Sequence, residues 1–132
     1  MFKGLDHIAI LVTDTDAALA VYRDRMGLPL LFSEVVNNGA VRLTHLDLGN
    51  AHLQLVEPLD AAHPLAAHLR EHGPGLHHFC LEVDDVSAAM DEAAARGIEA
   101  AQPRPHQAPR GRRAAFLAKS STGGVQVEIT GE

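Results

Sequence analysis

The sequence predicts an α+β protein made of two βαβββ modules whose strands form a cupped, barrel-like mixed sheet. A strand pattern that ends in aspartate and leads into a helical pattern occurs twice, at residues 5–27 and again at residues 76–97. His7 in the first copy corresponds to His78 in the second, with no gap along the strand. Units this short cannot each bury the face of a sheet, so the two copies are expected to pack together.

The first module is predicted to occupy residues 1–58. Residues 5–12 are rich in β-branched side chains and predict a strand, and Asp14 can cap the helix that follows. That helix is expected to end at Gly27. Three of its side chains fall on one apolar stripe: Leu19, Tyr22 and Met26. Further strands are predicted around an Asn-Asn-Gly turn and a Gly-Asn turn, at residues 28–36, 41–48 and 51–57.

A linker helix is predicted between the modules, within residues 59–74. Pro64 suits the first position of a helix, and Gly73 suits the position just after its end. The linker is too short to be a further domain, so we expect a single domain over residues 1–132.

The second module is predicted at residues 75–132 and repeats the order of the first. Its first strand leads into a helix that Asp84 or Asp85 can cap and that Gly97 can end. Three further strands complete it, with a proline-rich loop before the second of them: residues 98–101, 113–118 and 125–130.

Composition excludes several functional classes. A net charge of −6 argues against a nucleic-acid partner. No apolar run approaches the roughly 20 residues of a membrane span, and no signal-peptide pattern is present, so we expect a cytoplasmic protein without a membrane partner. The single cysteine, Cys80, excludes an internal disulfide and is expected to be a small packing residue.

Strand parity singles out four side chains that could hold a metal ion. In the first strand of each module a histidine lies on the face opposite the apolar residues, and in the last strand an amide or a carboxylate does. If these two faces curl towards one another, four residues meet: His7, Gln54, His78 and Glu128. Two imidazoles, one carboxylate and one amide oxygen, with no thiolate, suit a Lewis-acidic divalent ion better than a structural zinc ion.

A single strand histidine is more often hydrogen-bonded filler than a metal ligand. The matched positions of His7 and His78 in a repeat favour a site instead. His77 has the parity of the apolar face and is expected to be a neighbour of the site. The other histidines have no counterpart in the repeat and are predicted at the surface: His45, His52, His63, His68, His72 and His106.

Four stretches carry a family resemblance: Leu-Asp-His-Ile at 5–8, Leu-Gln-Leu-Val-Glu-Pro at 53–58, Gly-Leu-His-His-Phe-Cys-Leu-Glu-Val-Asp-Asp at 75–85 and Gly-Gly-Val-Gln-Val-Glu-Ile at 123–129. With them the chain resembles the vicinal oxygen chelate superfamily, which includes glyoxalases, bleomycin resistance proteins and dioxygenases. Within it the chain is most similar to the methylmalonyl-CoA epimerases. The resemblance covers nearly the whole chain.

The resemblance implies a glyoxalase-like fold, commonly in a homodimer, around one divalent metal ion (Co, Zn, Mn, Ni or Mg). It implies the same four ligands that strand parity selects. Members of this family epimerise methylmalonyl-CoA by α-proton abstraction, a metal-stabilised enolate and reprotonation, so Glu128 is expected to carry a proton as well as to bind metal. An acyl-CoA substrate would place its phosphates near the basic loop that carries Arg112 and Arg113.

The chain also departs from that family. Some epimerases carry a second catalytic glutamate in the strand after the first hairpin, where this chain has Arg42 or Leu43, and Glu34 is the nearest substitute. Two alternatives therefore stay open. One is a glyoxalase I-type lactoylglutathione lyase or another metalloenzyme of the superfamily. The other is a metal-free small-molecule binding or resistance protein, against which the complete ligand set argues.

Overall fold

The computed structural model describes residues 1–132 and divides them into two compact units. We call Ile8–His77 the middle unit, and Met1–His7 together with His78–Glu132 the terminal unit. The predicted domain and module boundaries, with a linker at residues 59–74, stay a prediction.

The elements follow the predicted order of two βαβββ modules joined by a helix, and the mixture confirms the α+β class. In chain order they are β1 (Gly4–Leu11), α1 (Thr15–Leu19) with a π-helical continuation (Ala20–Arg25), β2 (Leu30–Val36), β3 (Val41–Asp47), β4 (His52–Pro58), α2 (Pro64–His72), β5 (Gly75–Glu82), α3 (Val86–Ala95), β6 (His106–Gln107), β7 (Arg113–Phe116) and β8 (Val127–Gly131). None of the helices is both long and apolar enough to cross a membrane.

Strands of the middle unit lie in the order β2-β3-β4-β1, where β1 contributes residues 8–11. The hairpin between β2 and β3 confirms the predicted Asn-Asn-Gly turn. Asn37, Asn38 and Gly39 all have positive φ, at 54°, 55° and 88°, which is the backbone that such a turn requires. β2 begins at Leu30 and not at Leu28, because the Leu28 N–H donates to the Tyr22 carbonyl and so completes the preceding helix.

The predicted cap of the first helix is confirmed. The Asp14 carboxylate accepts hydrogen bonds from the N–H groups of Asp16 and Ala17, which satisfies two donors at the helix start. The predicted apolar stripe is wrong at one position, because Met26 is 62% exposed. The helix widens to π geometry after Leu19, and this changes which side chains face the sheet.

Both faces of the middle unit's sheet are covered. One cluster joins Leu19 of α1 to β3 and β4, and the other joins Ala9 and Leu11 of β1 to Leu65 and Leu69 of α2. The face of β1 opposite its predicted apolar residues was expected to be polar. The second cluster corrects this prediction, because α2 buries the side on which Ala9 lies.

Strands of the terminal unit lie in the order β1-β5-β8-β7-β6, where β1 contributes residues 4–7. β5 and β8 run parallel, whereas β8 pairs antiparallel with β7. Asp85 caps α3 by accepting from the Ala88 N–H, and the apolar face of α3 packs on Ile129 and its neighbours.

One predicted strand of the terminal unit is wrong. Residues 98–101 form only a single bridge, from Ala100 to Leu117. Pro103 follows after one residue, Gln102, and has no N–H with which to extend a ladder. The chain instead forms the two-residue strand β6 within the proline-rich loop and pairs it with β7.

Candidate metal centre

Three of the four predicted ligands lie together in the terminal unit. β1 carries His7, β5 carries His78 and β8 carries Glu128. The parallel register of β5 and β8 sets Cys80 opposite Glu128, and the antiparallel register of β7 and β8 sets Phe116 opposite Glu128. The strand pairing therefore positions the carboxylate at the centre of the group.

The carboxylate of Glu128 meets both imidazoles through one oxygen. Its Oε1 lies 3.2 Å from Nε2 of His7 and 3.2 Å from Nε2 of His78. The rings of the two histidines meet edge to face, with centroids 5.5 Å apart. The three ligand atoms lie within 4.8 Å of one another. Two imidazole nitrogens and a carboxylate oxygen at this spacing are a donor set that fits a divalent metal ion.

The site is buried, and its neighbouring side chains shift one another's pKa values. Burial alone would raise the pKa of Glu128, yet hydrogen bonds from the three surrounding histidines hold that pKa well below its usual range. Burial alone would lower the pKa of His7, yet hydrogen bonds and charges from Asp6 and Glu128 raise it from 6.5 to about 9. Both shifts favour a protonated His7 beside an ionised Glu128, so a cation that binds Nε2 of His7 would have to displace a proton.

Asp6 supports His7 from behind. Its Oδ2 lies 2.7 Å from Nδ1 of His7, and its Oδ1 accepts from Nη1 of Arg112 at 3.1 Å. A carboxylate on Nδ1 fixes the orientation of the ring and leaves Nε2 as the coordinating nitrogen, which is how metal-binding histidines are usually held. This role of Asp6 was not predicted, although the adjacent Asp-His pair in the sequence is a signal for it.

Gln54, the fourth predicted ligand, lies on β4 of the middle unit. It is 4% exposed, and its Nε2 is 3.0 Å from Nε2 of His45, its register partner on β3. The prediction that His45 lies at the surface is wrong, since His45 is only 5% exposed. The signal was available, because the Gly-Asn turn sets positions 45 and 54 opposite each other in a hairpin.

His106 was predicted at the surface, and the structure shows it half-buried and in contact with Glu128. Its Nε2 lies 3.4 Å from Oε2 of Glu128, and its ring stacks on Phe116 with centroids 5.7 Å apart. Its side chain keeps 36% of its surface exposed, so this imidazole lies between the buried carboxylate of Glu128 and the solvent. No periodic pattern marks a two-residue strand, so only the pairing of β6 with β7 reveals this contact.

The remaining predicted residues have simpler surroundings. Glu34 is half-buried on β2 and faces Leu43 in register. Arg112 pairs with Asp6, whereas the Arg113 guanidinium donates to the Ser87 hydroxyl.

Cys80 and His77 were predicted to stand outside the ligand set. Cys80 is fully buried, and burial with the nearby charge of Glu128 raises the pKa of its thiol, so Cys80 packs as expected and is not a nucleophile. His77 lies in the middle unit, where its ring is 5.1 Å from that of His68.

We expect the metal-free protein to lose stability as the pH rises from about 6.5 to about 9. The folded pKa of His7 is raised, so its contribution is complete below pH 6.5 and disappears as the pH passes through about 9. The upper limit of this contribution is about 3 kcal/mol. Denaturant unfolding in the presence of a chelator measures it.

The matched comparison is between His7→Gln and His72→Gln, because His72 has a side chain that is 62% exposed. The His7 variant is expected to show a flatter pH dependence than the wild type, and the His72 variant is expected to match the wild type. An identical pH dependence in all three proteins would contradict the assignment of a raised pKa to His7.

Known proteins resemble this chain over nearly all of its length. The family model described as the Glyoxalase/Bleomycin resistance protein/Dioxygenase superfamily matches residues 6–116. The ethylmalonyl-CoA/methylmalonyl-CoA epimerase of Cereibacter sphaeroides is 32% identical over 133 residues, which cover 98% of each chain.

Two solved structures agree with the fold. The methylmalonyl-CoA epimerase of Mycobacterium tuberculosis superimposes with a TM-score of 0.92 at 28% identity, over 98% of this chain and 88% of that one. A methylmalonyl-CoA epimerase in complex with methylmalonyl-CoA and NH4+ superimposes with a TM-score of 0.90 at 28% identity, over 100% and 96%.

Proposed function

Because the chain belongs to the Glyoxalase/Bleomycin resistance protein/Dioxygenase superfamily, we propose that it epimerises methylmalonyl-CoA or a related 2-substituted acyl-CoA thioester. The observation that carries the proposal is the buried carboxylate of Glu128, whose Oε1 lies 3.2 Å from an imidazole nitrogen of both His7 and His78. The names of the relatives support the same reaction.

The ligand set in this proposal is the predicted one: His7, Gln54, His78 and Glu128. A divalent ion held there would supply Lewis-acid polarisation of the thioester carbonyl, which makes the α-proton more acidic. The close spacing of the three donors in the terminal unit supports this set. Gln54 is included because its position in the first module corresponds to that of Glu128 in the second.

Glu128 is proposed as the proton carrier as well as a ligand. Its two oxygens have different surroundings, since Oε1 faces His7 and His78 whereas Oε2 faces His106 at 3.4 Å. The oxygen turned away from the metal ligands is the one that can accept a proton from C2 of the substrate. Return of a proton to the opposite face needs a second donor, for which Glu34 stays the proposed group.

Arg112 and Arg113 are proposed to bind the phosphates of the coenzyme A moiety. Their side chains keep 34% and 43% of their surface exposed, so each can meet a ligand while it keeps its protein contact. We expect the Arg112→Ala/Arg113→Ala double variant to raise KM for the thioester about 10-fold or more, because charge-assisted hydrogen bonds are lost.

Steady-state kinetics with metal analysis measures this effect. Arg96→Ala is the control, because Arg96 directly follows α3 and pairs with Glu92 at the surface. An unchanged KM in the double variant, with metal content also unchanged, would remove the two arginines from the substrate site.

A cytoplasmic homodimer completes the proposal. Size-exclusion chromatography with light scattering measures the oligomeric state, and a mass of about 14.1 kDa per particle would reject the dimer.

Proton NMR of methylmalonyl-CoA in deuterated water tests the proposed reaction directly. With the cobalt-loaded protein we expect the C2 proton signal to disappear as deuterium enters and the two epimers interconvert. The same protein in excess chelator is the control and is expected to be slow. A C2 signal that persists with a stoichiometric amount of bound cobalt would overturn the epimerase and favour another reaction of the superfamily.

A further inference from the structure

A chain of buried polar groups in the middle unit ends on Gln54. The β3–β4 register pairs His45 with Gln54, and Nε2 of His45 lies 3.0 Å from the amide nitrogen of Gln54. On its other side, Nδ1 of His45 lies 2.9 Å from Nδ1 of His52. The ring of His45 stacks on Phe32, with centroids 4.5 Å apart and planes 19° from parallel. Both ring nitrogens of His45 therefore have a polar partner, and the ring itself is held against Phe32.

In the structure the nitrogen end of the Gln54 amide faces His45, and this orientation fixes the direction of the hydrogen bonds along the chain. The amide nitrogen of Gln54 is a donor only, so Nε2 of His45 must accept from it. A neutral imidazole that accepts at Nε2 carries its proton on Nδ1, and that proton is then donated to Nδ1 of His52. With the Gln54 amide oriented this way, the contacts assign the tautomer of both histidines.

We propose that His45, braced by Phe32 and His52, is the positioning residue that holds the Gln54 amide with its oxygen available to a metal ion. The inference rests on the proposed function, in which Gln54 is a ligand. The two ends of a carboxamide are nearly equal in size, but only the oxygen has a lone pair for a cation, and the flipped amide would present N–H donors instead. By binding the nitrogen end, His45 selects the orientation that can coordinate, which is how groups behind a metal ligand raise metal affinity.

A purely structural role for His45 makes a different prediction. If the ring only fills space beside Phe32, a phenylalanine of similar shape should preserve both the fold and the metal affinity. If His45 orients Gln54, that replacement should weaken metal binding even where the protein stays folded, because the amide nitrogen loses its acceptor.

The test measures cobalt affinity by chelator competition, together with the visible spectrum of bound cobalt. His45→Phe is expected to weaken cobalt binding about 10- to 100-fold and to alter the spectrum. His45→Gln, which returns an acceptor within reach of the Gln54 amide, is expected to recover most of that loss. His52→Phe removes the acceptor for Nδ1 of His45 from the half-buried end of the chain, and we expect a smaller loss of about 3- to 10-fold.

Gln54→Ala is the reference that separates this inference from the proposed function. If His45 acts through Gln54, the Gln54→Ala/His45→Phe double variant binds cobalt no more weakly than Gln54→Ala alone. Unchanged affinity in Gln54→Ala would remove Gln54 from the ligand set and so contradict the proposed function. Weak binding in Gln54→Ala beside wild-type affinity in His45→Phe would overturn only the positioning role. If His45→Phe does not fold, wild-type affinity in His52→Phe overturns that role in its place.

Discussion

Glu128→Gln is expected to lower kcat/KM for methylmalonyl-CoA by about a thousandfold or more, given the proposed function. The variant keeps the shape of the side chain but removes the charge that faces His7, His78 and His106 at 3.2 to 3.4 Å. Loss of a positioned general base costs about 10²- to 10⁴-fold, and a neutral amide is also a weaker ligand for a divalent ion. Kinetic assays with parallel metal analysis measure both effects.

Glu82→Gln is the matched control for this prediction. Glu82 is a carboxylate of the same unit, but it pairs with Lys3 at the surface at 3.4 Å. We expect the control to retain activity within about twofold, because exposed ion pairs contribute little. If Glu128→Gln kept a tenth or more of the wild-type activity, Glu128 would not be the proton carrier.

Gly131→Ala is expected to lower the free energy of unfolding by about 2–3 kcal/mol. A Cβ at this position would overlap the carbonyl oxygen of Val83 and would lie 3.3 Å from that of Asp84. Those atoms are backbone and cannot rotate away, so β8 or the segment before α3 must move, and such overpacking costs about 1–3 kcal/mol.

The contact at Gly131 is tight because the C-terminal end of β8 is hydrogen-bonded to the start of α3. The Glu132 N–H donates to the Asp84 carbonyl, and the Val86 N–H donates to the Glu132 carbonyl. These bonds draw the backbone at Gly131 onto Val83. The substitution should therefore disturb α3 as well as β8.

Gly124→Ala is the control for Gly131→Ala, measured by urea or thermal unfolding. Gly124 has a φ of 89° and open space around an added Cβ, so its variant should cost only about 1 kcal/mol of backbone strain. If Gly131→Ala were no less stable than Gly124→Ala, the close approach to Val83 would not constrain the fold.

Several parts of the fold could be predicted because they depend on neighbours in the sequence. Asp14 and Asp85 cap their helices because a short carboxylate reaches the next free N–H groups. Asn37, Asn38 and Gly39 form their turn because these residues tolerate positive φ. The class of the fold followed from counting such signals twice along the chain.

Other parts could not be predicted because packing overrode the local pattern. Met26 has helical spacing from Leu19, but the widened π segment turns it into solvent. Ile98 begins an apolar stretch that predicts a strand, yet Pro103 stops the ladder after one bridge. A periodic pattern of apolar residues does not show which backbone N–H and C=O groups already have a hydrogen-bond partner elsewhere.

The candidate site likewise has a part that could be predicted from the sequence and a part that could not. The repeat by itself predicted that His7, Gln54, His78 and Glu128 belong together, because equivalent positions in a duplicated unit can be found by aligning the chain with itself. The structure brings three of these four together in the terminal unit. Only the tertiary structure decided that Arg112 reaches Asp6, and that His106 reaches Glu128. Such contacts arise from strand register and loop path, which bring together residues that no local pattern relates.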